Sequence, residues 1–158
     1  MAFTGSAVCN SFKTEVLTAI HDFTASTGDT FKLSMYTNGA SPTKSTTVYT
    51  APADGTADPT NTYEISSTST GYTTGGNSLT SVTPALSTDT AVCDFSDTNW
   101  TSATITARGA IIYNSTATPD NEQAVCVLDF GGDKTCTAGT FTIQFPLPTA
   151  GAGILRLA

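Results

Sequence analysis

The chain has one histidine, one tryptophan and only six basic residues among its 158 positions. Histidine is the side chain most often used as a general base beside a nucleophile and is a common zinc ligand. With a single copy, His21, a Ser–His–Asp or zinc arrangement would need partners that this sequence does not carry. Six basic residues against thirteen acidic ones leave a net charge of −7 and no basic patch. That argues against binding the phosphates of nucleic acid and against attachment to anionic membranes. No apolar run approaches the roughly 18–20 residues that span a bilayer. The opening MAFTGSAVCNSF has neither a basic n-region nor a continuous apolar h-region, so no secretory signal is expected and synthesis in a cytoplasm is implied. The cysteines Cys9, Cys93, Cys126 and Cys136 form no CxxC pair. They are expected to be buried free thiols, with one bridge between Cys126 and Cys136 as the alternative.

Charge is scarce altogether, at 12% of residues, about half the usual share for a soluble protein. Threonine, with Ser, Gly and Asn, takes its place. Threonine is β-branched, poor in helix interiors and suited to a pleated, half-buried surface. It also costs less to desolvate and to order than Lys or Glu, which suits a surface that packs on other subunits. The length fits one domain over residues 1–158.

Phe12, Val16, Leu17, Ile20 and Phe23 recur at three- and four-residue steps, which predicts a helix over about 10–24, capped by Asn10 or Ser11 and ended before Gly28. Beyond Gly28 the period becomes two. Phe31, Leu33 and Met35 alternate with Thr30, Lys32 and Ser34, as in a half-buried strand running to Tyr36. Further strand-like runs lie at 46–50, 79–83, 90–95, 102–113, 123–130, 140–145 and 153–158. Turn signals separate them at Asn38-Gly39, Ser41-Pro42, Asp120-Asn121 and Gly131-Gly132-Asp133, and residues 51–62 read as a surface loop. Short strands from about residue 29 to the C-terminus with one N-terminal amphipathic helix predict a mainly β fold, an antiparallel β-sandwich or a small barrel.

Motifs for chemistry are thin. The GYTTGG segment at 71–76 has the glycines of a phosphate loop, but no lysine and no helix follow it. The carboxylates Asp89, Asp94 and Asp97, Asp120 and Glu122, and Asp129 and Asp133 cluster without the spacing of a calcium loop and read as turn and strand-end residues. A paired-carboxylate glycosidase is disfavoured by the scarcity of exposed aromatic platforms, since Trp100 stands alone and the five tyrosines are scattered. The sequons at Asn99 and Asn114 carry little weight in so Thr- and Ser-rich a chain. No catalytic, cofactor-binding or metal-binding residue is expected, and no cofactor.

Taken in order, CNSFKTEVLTAIHDF, GDTFKLSMYT, EISSTSTGYTTGGNSLT, TARGAIIYNSTA, AVCVLDFGGDKTCTAGTFTIQF and the closing ILRLA span nearly the whole chain. This pattern resembles a family of small virion structural proteins of tailed bacteriophages, including marine and cyanobacterial ones. The resemblance implies a place in a virus particle and supplies no catalytic residues. The expected function is a capsid decoration or cement protein that stabilises the shell, with a tail, neck or fibre component as the alternative. Its expected partners are the major capsid protein or other virion proteins and further copies of itself, with neither nucleic acid nor membrane. The contact residues expected are Phe3, Tyr49, Trp100, Ile154 and Leu155: terminal apolar side chains without an obvious local partner, and two aromatics flanking polar loops.

Overall fold

The structure is a computed structural model that describes residues 3–50, 61–118 and 121–158. The elements in chain order are β1 (Ala7–Val8), α1 (Asn10–Leu17), β2 (Phe31–Tyr36), β3 (Asn77–Ser78), β4 (Ser81–Ser87), β5 (Thr90–Phe95), β6 (Thr98–Asn114), β7 (Gln123–Ile143) and β8 (Leu155–Leu157). They form two antiparallel sheets, one of order β1-β7-β6-β2-β3 and one of order β4-β5-β8. Both sheets end in open edges, so the fold is β-sandwich-like, and the small barrel is excluded.

The core forms where the two sheets meet. Phe31 of β2 stacks on Phe23 with ring centroids 4.2 Å apart and lies 5.5 Å from Phe95 of β5. Leu33 and Met35 share its face and are fully buried. The alternation had implied that the other face of β2 meets solvent, yet Ser34 and Tyr36 are also fully buried. The chain that leaves β2 folds back over that second face. The Tyr36 hydroxyl donates to the Tyr49 carbonyl at 2.6 Å, and Ile65 N–H returns to the Met35 carbonyl at 2.9 Å.

Three predicted elements differ. The helix stops at Leu17 rather than near residue 24, and its N-cap is Cys9, not Asn10 or Ser11. Cys9 is extended because its N–H is held by the Val125 carbonyl, continuing β1. At the other end Ala19 adopts a positive φ of 56° and Ile20 N–H closes back on the Glu15 carbonyl. Phe23 therefore reaches the core from an irregular segment; its spacing signalled burial, not helix. Residues 46–50 form no strand, only an isolated bridge between Val48 and Gln123.

The runs at 123–130 and 140–145 are not two strands parted by a tight turn. They belong to β7, which follows β6 along a single long ribbon. Ala107 pairs with Lys134 and Gly109 with Asp129, so residues 130–133 bulge out opposite Arg108. Gly131, at φ 74°, allows the excursion, and the Arg108 guanidinium clamps Asp129 beside it. Such a bulge bends and twists a ribbon without ending it. The predicted loop at 51–62 lies outside the described residues except for Asn61 and Thr62, as does Asp120 of the predicted 120–121 turn.

Ser87 pairs with Thr90, leaving Thr88 and Asp89 as a two-residue hairpin turn, and Thr88 sits at φ 62°. The first central position of such a turn favours glycine, and a β-branched side chain is strained there. Thr88→Gly is expected to raise stability by about 0.5–1 kcal/mol, seen as a higher urea midpoint with an unchanged slope.

Candidate interaction surface

Among the described residues, two internal polar clusters and one apolar groove hold the side chains with functional potential. The first cluster centres on Glu64, which runs alongside the end of β2 through a backbone bridge to Tyr36. Its carboxylate accepts from the Tyr72 hydroxyl at 2.7 Å, the Gly75 N–H at 2.6 Å and the Asn61 amide at 2.9 Å. Burial raises its pKa, partly offset by those three donors. Tyr113 completes the cluster, donating to the Gly75 carbonyl at 2.8 Å and stacking on Tyr49 at 4.2 Å. The glycine-rich segment thus does cradle an anion, but the anion is the protein's own Glu64.

The second cluster runs through His21. Its side chain is fully buried. Asn114 Nδ2 donates to Nδ1 at 3.0 Å, so Nε2–H donates to Glu15 Oε2 at 2.9 Å. Asn114 Nδ2 also reaches Asp29 Oδ2 at 2.7 Å. The chain Glu15–His21–Asn114–Asp29 ties the segment after α1 to the end of β6. Both ring nitrogens are engaged, and among the described residues no nucleophilic side chain bonds to either of them.

Asp97 Oδ1 accepts the Phe145 N–H at 2.9 Å, whereas Asp94 is buried in β5, where desolvation raises its pKa. Among the described residues no group of three or more His, Cys, Asp or Glu is placed to hold a metal ion. All four cysteines are unpaired, three of them buried. Burial pushes the Cys9 and Cys93 thiols up to about 12, far from a reactive thiolate.

The expected contact residues part company. Phe3 is 4% exposed and fills the space over Gly109, where an added Cβ would lie 2.3 Å from its ring. Trp100 is 3% exposed, packed between Tyr72 and Phe141. Both are core residues and offer no contact surface. Tyr49 is half-buried in the stack on Tyr113.

Ile154 and Leu155 are brought together with residues that the sequence reading missed. They line a groove of about 780 Å³ between α1 and the edge strand β8. Phe12, Val16 and Leu17 form its helical wall, and Leu157 continues the strand side. Leu17 is 86% exposed and Leu157 67% exposed. In the sequence Leu17 reads as part of the helix's core-facing stripe, because the early end of the helix is invisible there. No protein-family model, no curated protein and no solved structure matches the chain.

Proposed function

We propose that this chain is a non-enzymatic structural component of a tailed bacteriophage particle, acting as a decoration or cement protein that stabilises the capsid shell through subunit contacts. The observation that carries the contact role is the groove beside β8, which none of the described residues covers. Leucines this exposed, gathered around one apolar recess, are the usual mark of a surface that another protein covers. The location in a particle is supported by the resemblance to small phage virion proteins. A charge-poor, threonine-rich surface supports the same reading, since it costs little to desolvate against neighbouring subunits. Many copies on a lattice would amplify a modest contact energy at each site.

Deleting residues 154–158 removes Ile154, Leu155 and the edge strand while leaving the buried centre of the large sheet in place. The truncated chain is expected to keep a cooperative unfolding transition and to lose incorporation into particles. Gel densitometry of purified particles checks this. Normal incorporation of the truncated chain would sink the contact role. In the same gel, a copy number near that of the major capsid protein supports shell decoration, whereas a few copies per particle would move the chain to the tail, neck or a fibre.

A further inference from the structure

The groove beside β8 has a sharper chemical signature than apolarity alone. Leu155 pairs with Cys93, Arg156 with Val92 and Leu157 with Ala91, so among the described residues β8 joins the small sheet through β5 only and its second edge is open. By strand alternation Leu155 and Leu157 share the face that looks into the groove, and Arg156 projects from the other. Among the described residues the charged side chains lining the groove are Lys13 and Arg156, and no Asp or Glu side chain lines it. Neither cation is in an ion pair among the described residues: Lys13 bonds only the Asn10 amide oxygen at 3.2 Å and Arg156 the Ala150 carbonyl at 3.1 Å. In a protein of net charge −7 this is a local cationic rim around an apolar recess.

We propose that this edge binds an extended acidic–apolar segment of a partner protein, which adds as a strand to β8. Main-chain bonds to the open edge would hold it, its apolar side chains would enter the groove against Leu17 and Leu157, and its intervening carboxylates, on the opposite face of the added strand, would meet Arg156. A second copy of this chain fits the same edge less well. Antiparallel pairing of two β8 strands about a twofold axis centred on this short strand sets Arg156 against Arg156, and like charges directly opposite destabilise a strand pair.

This inference rests on the proposed contact role and names the partner chemistry of that site. The test titrates the full chain into two fluorescent, end-blocked peptides, one alternating valine with glutamate and one alternating valine with lysine. Fluorescence anisotropy is expected to show the glutamate peptide binding roughly tenfold more tightly than the lysine peptide, with the difference shrinking as salt is raised. Arg156→Glu should reverse the preference, and Leu157→Asp should weaken the glutamate peptide. Both positions are exposed, and an unchanged unfolding midpoint for each variant shows that the fold is intact. Equal binding of the two peptides, binding of neither, or indifference to Arg156→Glu overturns the proposal. Self-association of the free chain that Leu157→Asp abolishes would assign the groove to a second copy and overturn it too. Absence of the chain from purified particles strikes the structural role alone, because the peptide result does not depend on the particle.

Discussion

Gly76→Ala is expected to cost about 4 kcal/mol or more, enough to abolish folding in a marginally stable chain. Gly76 sits at φ 75°, immediately before β3, where Asn77 pairs with Leu33. A Cβ at this position would lie 1.7 Å from the Leu33 carbonyl oxygen and 2.4 Å from its carbonyl carbon. The obstacle is the backbone of the most buried strand, so no side chain can rotate away. Relief would require β3 to leave β2, taking with it the Gly75 contacts to Glu64 and Tyr113. Gly132→Ala is the matched control, because nothing lies within 4 Å of its would-be Cβ. Urea unfolding of the two variants should show a collapse for the first and little change for the second. A Gly76→Ala protein with the native midpoint would mean that the β2–β3 approach is wrong.

Glu64→Ala is the second large effect, expected to destabilise by about 3 kcal/mol. Removing the carboxylate takes the acceptor from the Tyr72 hydroxyl and the Gly75 N–H and leaves the Asn61 amide only its longer bond to the Tyr36 hydroxyl, in a place where water has little access. Glu64→Gln should be far milder. Its carbonyl oxygen still accepts from Tyr72 and Gly75, and its amide can donate to Asn61 Oδ1, which is buried and has no partner in the native protein.

The two forms also separate by pH. Burial raises the folded pKa of Glu64 above the unfolded value of 4.5. A raised folded pKa means that the folded state holds its proton more tightly. The stabilising contribution is therefore fully present below the unfolded pKa and is lost as pH rises through the folded pKa. Glutamine does not titrate, so the stability of Glu64→Gln minus that of the native chain should increase between pH 4 and pH 7. Paired urea titrations at the two pH values measure it, and a difference that stays constant or falls would show that the three donors to Glu64 outweigh its burial.

Much of this architecture was legible from local pattern. Phe31, Leu33 and Met35 announced β2, Thr90–Phe95 announced β5, the long apolar alternation through Ile111 and Ile112 announced β6, and ILRLA announced the edge strand that frames the groove. These succeed because alternation and β-branched content are properties of neighbouring residues, and a strand needs nothing more to declare itself. The groove was half legible. Ile154 and Leu155 stood out as terminal apolar residues of a strand that ends in Leu157, but their counterpart Leu17 acquires meaning only once α1 ends early.

Phe3 shows the opposite error. A terminal aromatic with no partner nearby in sequence finds one at Gly109, more than a hundred residues away, and Trp100 finds Tyr72 and Phe141 in the same manner. The amino-acid sequence by itself determined the β class, the position of most strands, the scarcity of titratable chemistry and the acidic, threonine-rich character of the chain. Only the tertiary structure decided that β2 is buried on both faces, that β7 runs unbroken past its glycines, that a glutamate fills the glycine-rich cradle and that an apolar groove with a cationic rim is left open. Each of these depends on which distant segment covers a face, and side-chain periodicity along one strand records that a face is apolar without recording what lies against it.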